Sequence, residues 1–430
     1  MRNFASSVLN MFFVCISLCP SCHCGEKNPR KPTMSSTVPQ GFRLAAVHCG
    51  IKSKADRKDL TLIVTDGPAI AAGVYTRNLI FAAPVAIDRA RTPSGKIRGI
   101  IANSGNANAC TGERGLADAH EMTRLAAEAV GASPDEFLVL STGIIGEFLP
   151  LPKIAEGVKA AAVKLASDDA ALLDAAHGIM TTDKFHKLVH RSVEIDGKIY
   201  RLAGMAKGAG MIGPRMATLL GVLLIDAPLT PADAQQVLSH VVEDSFNCIS
   251  VEGHMSTNDT ILLLSSGAAG GEPLSGESLL ALRSALKEMA IELAKMIPDD
   301  GEGATHCIEI RVNGCTSRND AWRIARTIAD SPLVKTAIAG ADPNWGRIVS
   351  AVGYSGVSFD PNQLELRVNG TLLYKQAAPV PFDAHAVSES IKGQRETMVE
   401  IQMSLGTEGV TFWTSDMTYE YIRINADYHT

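Results

Sequence analysis

A layered α/β protein is predicted from three features of the sequence. Apolar residues make up 46% and charged residues 20% of its 430 residues, the balance of a globular chain with a sizeable core. Its 37 glycines imply many turns and close backbone approaches, which suits layered strands and helices better than a helical bundle. Short apolar runs bounded by turn residues also alternate with amphipathic stretches along the chain.

The amino end differs from the rest. Arg2 precedes an apolar stretch from Val8 to Cys19, the outline of a secretory signal, but no small-x-small cleavage pattern follows it. Residues 1–33 are therefore a leader or, preferably, the product of a start placed too far upstream, since Met34 opens MSSTVPQGF; an organellar targeting peptide is a third reading. Cys19, Cys22 and Cys24 with His23 could pass for a metal cluster. No second ligand pair stands at zinc-ribbon spacing, so incidental cysteines are expected. Cys49, Cys110, Cys248, Cys307 and Cys315 are odd in number and irregularly spaced, which argues for reduced surroundings. After residue 33, 36 Lys and Arg face 45 Asp and Glu, a net −9 that suits a cytoplasmic enzyme. Such a balance offers no general footprint for nucleic acid or an anionic membrane, and no later apolar run approaches a spanning helix.

Beyond the leader the elements can be read in order. LTLIVT (60–65), RGIIANS (98–104) and EFLVLST (136–142) are predicted as buried strands. GLADAHEMTRLAAEAV (115–130) and KIAEGVKAAAVKLA (153–166) are predicted as helices. VEIDGKIYRLAGMA (193–206) sets Asp196-Gly197 between two β-like arms, a short hairpin signal. LLGVLLIDA (219–227) and TILLLSS (260–266) have the look of central strands. PADAQQVLSHVVEDSF (231–246) begins a helix with Pro231 in its first turn, and 277–297 is the longest helical pattern. After residue 305 the strand-like CIEIRVNG (307–314) and LELRVNG (364–370) echo each other. A catalytic unit over 34–304 and a smaller C-terminal α/β unit over 305–430 are expected.

The chemistry is sought in KGAGMIGPRMATLLGVLLIDA (207–227). Gly208 to Gly213 match the dinucleotide fingerprint letter for letter. Pro214 and a β-like run follow instead of the helix that would face a pyrophosphate, so that reading is rejected. What remains is a glycine-rich, flexible arm leading into Ala217-Thr218 and then a stiff apolar strand. A threonine hydroxyl is a weak nucleophile unless a base adjoins it, and an α-amine at a chain start can be that base. An internal threonine gains such an amine if it cuts the bond before it. From these letters alone the plainer reading, a loop entering a core strand with Thr218 there for β-propensity, is the better one.

A wider pattern changes the balance. The segment resembles the cleavage region of the glutamate N-acetyltransferase/ornithine acetyltransferase family of arginine biosynthesis, whose pattern is approximately KGSGMIAPNMATML. GFRLAAVHCGIK, IANSGNANACTG, STGIIG, MTTDKF, SVEGHMSTNDT, DDGEGAT, ADPNWGRIVSAVGY and YIRINADYHT also resemble family blocks, in family order, over residues 41–430. Ala209, Gly213 and Arg215 depart from the pattern, and Arg215 is the change expected to alter cleavage or substrate preference.

The resemblance implies a layered α/β/β/α-type sandwich with a smaller C-terminal α/β domain. It implies scission between Ala217 and Thr218, chains assembled as α2β2, and a ping-pong acetyl transfer from N-acetylornithine to glutamate through acetyl-Thr218. No metal or organic cofactor is implied, and acetyl-CoA as a further donor is the trait that separates bifunctional members. Thr142 and Gly143 would form the oxyanion hole. Thr181, Lys207, Thr218, Glu302, Asn425 and Thr430 would bind substrate, with Thr182 adjacent to the first. A self-processing aminopeptidase-type hydrolase is the nearest alternative, and an uncut amino-acid sensor a third.

Other polar residues receive lesser readings. His48-Cys49 suggests a cysteine hydrolase but lacks a third partner. Asp342, Asn344, Trp345 and Arg347 are read as a structural turn, with the arginine placed to pair with the aspartate. His254 and Asp259 are placed near the site without a role.

Overall fold

Eight strands make the first sheet. β1 (Phe42–Val47) pairs antiparallel with β2 (Leu60–Tyr75), and the main order is β4 (Phe137–Ile144), β3 (Ser94–Asn106), β2, β9 (Thr260–Ser265), β7 (Leu220–Ile225), β6 (Lys198–Lys207) and β5 (Lys187–Ile195). The computed structural model describes residues 37–213 and 219–427. The leader with its cysteines and His23, Arg215, Ala217, Thr218 and Thr430 lie outside the described residues.

β2 is longer than the predicted strand because it serves two partners. Leu60 to Thr65 pair with β1, and Ile70 to Tyr75 pair with β9. Asp66-Gly67-Pro68 has the composition of a turn, yet here it is an exposed irregularity across which the register with β3 shifts. Proline interrupts the ladder without ending the strand.

Side-chain alternation sorts the strands into layers. Ile63, Ile100 and Leu138 share one core with Met205, Val222 and Leu262, so the inner faces of the sheet's two halves meet. Their neighbours Leu62, Ile101 and Val139 pack outward on α2 (Gly112–Val130) and α3 (Leu151–Ala162), beside α1 (Ala83–Arg91). Leu223, Ile225 and Leu263 pack on the opposite outer side, against α5 (Pro231–Glu243) and α6 (Gly276–Asp299). α4 (Asp169–Ile179) contacts strands of both halves. The layering is α/β/β/α.

The second sheet has seven strands, in the order β13 (Ala378–Pro379), β12 (Thr371–Lys375), β11 (Glu365–Val368), β14 (Glu396–Gln402), β10 (Cys307–Cys315), β15 (Glu408–Ser415) and β8 (Ile249–Ser250). α7 (Arg318–Ala329), α8 (Pro332–Ala339), α9 (Trp345–Gly353), α10 (Ala384–Lys392) and α11 (Tyr419–Asp427) accompany it. α6 joins the two sheets. Its Leu286, Met289 and Leu293 share one core with Leu223 of the first and Ile308, Ile310 and Phe412 of the second. Among the described residues no helix is long and apolar enough to cross a membrane.

Local signals explain several boundaries. α5 starts as expected, with Pro231 in its first turn and the Thr230 hydroxyl accepting the Asp233 amide at 3.1 Å. α3 stops at Ala162, short of the predicted 166, because Ala166 is used elsewhere: its carbonyl accepts the Leu44 amide at 2.8 Å in a bridge to β1. The β5–β6 hairpin turns at Asp196 (φ 52°) and Gly197 (φ 73°), both left-handed, as a two-residue turn between right-twisted strands requires.

A methyl group added at Gly197 would meet nothing within 4 Å, so a substitution there tests backbone strain alone. Gly197→Ala should lower stability by about 1–2 kcal/mol. Urea unfolding of the two proteins gives the comparison, and an unchanged midpoint would mean that the turn relaxes without cost.

Candidate active site

The blocks singled out in the sequence meet at one cavity. Thr142 and Gly143 at the end of β4, Thr181 and Thr182 after α4, Lys207 at the end of β6, Glu302 after α6 and Asn425 in α11 all line it. Ala107, Gly210 and the Ser256-Thr257-Asn258 run complete much of the wall. Ala217, Thr218 and Thr430 lie outside the described residues. The described chain resumes at Leu219, just before β7.

A buried ion cluster fixes one side of this cavity. Lys187, with no exposed side-chain surface, lies 2.7 Å from both Asp183 and Asp300, whose side chains are equally buried. Each carboxylate also holds backbone. Asp183 accepts the amides of Thr181 at 2.8 Å and Gly208 at 2.7 Å, while Asp300 accepts that of Lys184 at 3.0 Å. Burial works to raise the Asp183 carboxyl, but Lys187, Lys207 and the Gly208 amide outweigh it and hold it at about 2. Asp300 shifts the other way, raised by burial against the pull of Lys187. Thr181, Lys207 and the loop carrying Glu302 are thus located from one charged centre.

The glycine-rich arm after Lys207 serves close packing. Over 208–213 it is pinned, where the sequence suggested flexibility. The Ala209 carbonyl accepts the Glu302 amide at 2.9 Å, and the Ile212 carbonyl accepts the amides of Val251 and Gly253. A Cβ at Gly210 would stand 2.5 Å from the Glu302 carboxyl carbon, and one at Gly213 would stand 2.6 Å from the Gly253 backbone. No helix begins in 208–213, in keeping with rejection of the nucleotide reading.

The opposite wall carries Thr142 and Gly143. Gly143 has φ 137°, and a Cβ there would lie 2.2 Å from the Gly105 carbonyl carbon, so only glycine fits. Lys207 is buried and donates to the Thr142 hydroxyl at 3.0 Å. A hydroxyl that accepts from an ammonium keeps its own proton to donate elsewhere. Burial lowers the Lys207 ammonium below the usual lysine range, opposed by Asp183. Asn258 braces this wall, donating to the carbonyls of Ala107 at 2.6 Å and Ser141 at 2.9 Å. Across the cavity Asn425 donates to Glu302 at 3.0 Å, and Thr418 donates to the Gly303 carbonyl at 2.7 Å, fastening the start of α11 to the Glu302 loop.

Asp183, Lys187, Asp300 and Asn258 were not among the expected site residues. The blocks MTTDKF, DDGEGAT and STNDT contain all of them except Lys187, which lies two residues beyond the first. His48 finds a partner in Asp59 at 3.0 Å, but burial and Asp59 push the Cys49 thiol up to about 12, which disfavours the thiolate a nucleophile needs, and Asp59 also accepts the amides of residues 49–52. The Arg347–Asp342 pairing is corrected as well. Asp342 takes Asn344 at 3.0 Å, whereas Arg347 donates to the Leu333 carbonyl at 2.9 Å, because α9 turns its guanidinium towards α8.

The ion cluster supports a stability prediction. Lys187→Met leaves two carboxylates buried together and should cost about 3–5 kcal/mol. Adding Asp183→Asn and Asp300→Asn removes the unpaired charge and should recover part of the loss in urea unfolding. A triple variant no more stable than the single one would refute the electrostatic account.

The ArgJ family model matches residues 43–430. A protein of Rhodopirellula baltica named "Arginine biosynthesis bifunctional protein ArgJ" is 44% identical over 402 residues, 93% of this chain and 98% of the relative. One of the same name from Geobacter sulfurreducens is 46% identical, over 91% of this chain and 99% of its own. The crystal structure of Bacillus halodurans "Arginine biosynthesis bifunctional protein argJ" is 36% identical, covering 47% of this chain and 96% of that one, with a TM-score of 0.46. On the match across nearly the whole chain, the protein belongs to the ArgJ family.

Proposed function

We propose that this chain is an acetyltransferase of arginine biosynthesis that moves acetyl from N-acetylornithine to glutamate through Thr218. The carrying observation is the meeting of Thr142, Gly143, Thr181, Lys207, Glu302 and Asn425 at one cavity near the strand that follows Thr218. Relatives named for arginine biosynthesis, similar over nine-tenths of the chain, favour transfer over aminopeptidase hydrolysis.

Activation comes first in this reading. The Thr218 hydroxyl attacks the Ala217 carbonyl, the peptide C–N bond breaks, and an ester forms with the amine released on Thr218. Water then hydrolyses the ester, leaving an α chain that ends at Ala217 and a β chain that begins at Thr218. The new α-amine sits on the nucleophile's own residue and serves as its base.

Transfer follows in two steps. The amine takes the Thr218 hydroxyl proton as the oxygen attacks the acetyl carbonyl of N-acetylornithine. The Thr142 hydroxyl and the Gly143 amide receive the oxyanion. Collapse breaks the amide bond, the proton passes to the ornithine nitrogen, and acetyl stays on Thr218. The α-amine of glutamate then attacks this ester and leaves as N-acetylglutamate, restoring the hydroxyl.

Lys207 and Thr181 are proposed to hold the substrate carboxylate, and Glu302 the side-chain ammonium of ornithine, with Asn425 and Thr430 completing the polar contacts. The relatives' names contain the word bifunctional, and acetyl-CoA as a second donor to Thr218 is the corresponding proposal here. We further propose an α2β2 assembly in the cytoplasm, with 34–304 as the catalytic unit and 305–430 as the second α/β unit. The change of sheet after α6 supports that boundary, which β8 crosses by pairing with β15.

Denaturing electrophoresis should show two chains, one of them beginning at Thr218, and Thr218→Ala should show one chain and no transfer. Purified protein is assayed with glutamate and either N-acetylornithine or acetyl-CoA. Acetate release that ignores glutamate would establish the hydrolase instead, and full activity in an uncut protein would refute the mechanism.

A second outcome concerns the carboxyl end. Losing one hydrogen bond to a charged substrate group costs roughly 1.5–3 kcal/mol, or about tenfold or more in binding. A C-terminal tag, compared with an N-terminal one, should therefore raise KM for both substrates while sparing cleavage. Equal behaviour of the two tagged enzymes would remove Asn425 and Thr430 from the site.

A further inference from the structure

Asp259 is wholly buried, and ion pairing does not explain it. Its Oδ1 accepts the Leu219 amide at 2.9 Å, and its Oδ2, with the Thr76 hydroxyl and the Ser256 backbone nearby, makes no well-formed hydrogen bond among the described residues. The Leu219 carbonyl is held in turn by the Thr260 amide at 3.1 Å. Leu219 directly follows Thr218, so the amide that Asp259 grips belongs to the peptide bond on the far side of that residue. The preceding side chain, Asn258, grips the carbonyl of Ser141, the residue before Thr142, at 2.9 Å. Two consecutive side chains thus hold the two strands whose ends must cooperate.

We propose that Asp259 is a positioning residue for cleavage and acyl transfer, forming with Asn258 a two-residue clamp on Leu219, which follows Thr218 in the chain, and Ser141, which precedes the Thr142–Gly143 oxyanion groups. The proposal rests on the reading of Thr218 as nucleophile given above. A clamp of this kind suits a protonated carboxyl, which accepts at one oxygen and keeps an O–H on the other. Burial raises Asp259 well above the usual carboxylate range, against the Leu219 amide, the Thr76 hydroxyl, the nearby Lys207 charge and the Ser256 backbone. An asparagine therefore mimics the working group, whereas alanine leaves the Leu219 N–H buried without an acceptor.

The test compares Asp259→Ala and Asp259→Asn with wild type in three readouts: the rate of chain cutting after cell-free synthesis, the kcat and KM of the cut enzyme, and the thermal melt. Alanine should slow cutting and lower kcat by ~10-fold or more with little change in KM. Asparagine should restore both to near wild type, with the pH profile unmoved. A purely structural role would lower the melt and leave the rates of the folded fraction intact, which would overturn the proposal. So would an asparagine variant as slow as the alanine one, since Asp259 would then act as an ionised base. If alanine yields no folded protein, Asp259→Ser, too short to reach the Leu219 amide, takes its place with the same expectation. A wild-type control that transfers acetyl uncut would overturn the Thr218 reading itself, and the clamp with it.

Discussion

The site depends on a lysine that never reaches solvent. Lys187 holds Asp183 and Asp300 together, and those two carboxylates in turn hold the backbone of Thr181, Lys184 and Gly208. Without the ammonium, two carboxyl groups would be buried side by side, and at least one would take up a proton. The hydrogen bonds that locate the cavity wall would weaken with it. Burying three charged groups is rarely the cheapest way to stabilise a core. Here it brings three distant segments, at about residues 181, 208 and 301, to one point, which apolar packing alone specifies less sharply.

The same charge reaches the Thr142 wall through Lys207. Asp183 opposes the burial that drives the Lys207 ammonium towards neutrality, so Lys207 can remain a donor to Thr142. A single carboxylate therefore supports a backbone turn and an ammonium that polarises a hydroxyl. Lys52 adds a further prop, donating to the Met180 carbonyl at 2.7 Å just before Thr181. Such convergence on a few buried polar atoms rigidifies a site, provided that every member is satisfied.

Much of the fold was legible because patterns of period two and 3.6 report burial directly. The hairpin at Asp196-Gly197 and the proline start of α5 follow from turn and capping chemistry alone. The second half of β2 was hidden by Asp66-Gly67-Pro68, whose composition signals a turn even where a strand carries through it. The resemblance led to the cavity's Thr142, Gly143, Thr181, Lys207, Glu302 and Asn425, which no spacing rule would have joined, since they come from five separated segments. Asp183, Lys187 and Asp300 stayed hidden for a physical reason. Charged residues in loops are usually solvated, and only tertiary structure shows these to be buried together. The glycines of 208–213 illustrate the reverse error, for they serve close approach to Glu302 and Gly253, whereas flexibility was read into them.

That last point bears on how a chain could cut itself. β7 is buried at all six positions and hydrogen-bonded on both sides, to β6 and β9. On the other side of the proposed scission site, the chain is held as far as Gly213 by Ile212 and by contact with Gly253. The described residues that flank the proposed scission site, Gly213 and Leu219, are therefore both held. A floppy arm would bring hydroxyl and carbonyl together only rarely, because each encounter would cost the entropy of ordering the chain. Anchoring both ends meets that cost during folding. On the proposed reading, self-cleavage is a property of the folded scaffold, with Leu219 fixed between Asp259 and Thr260.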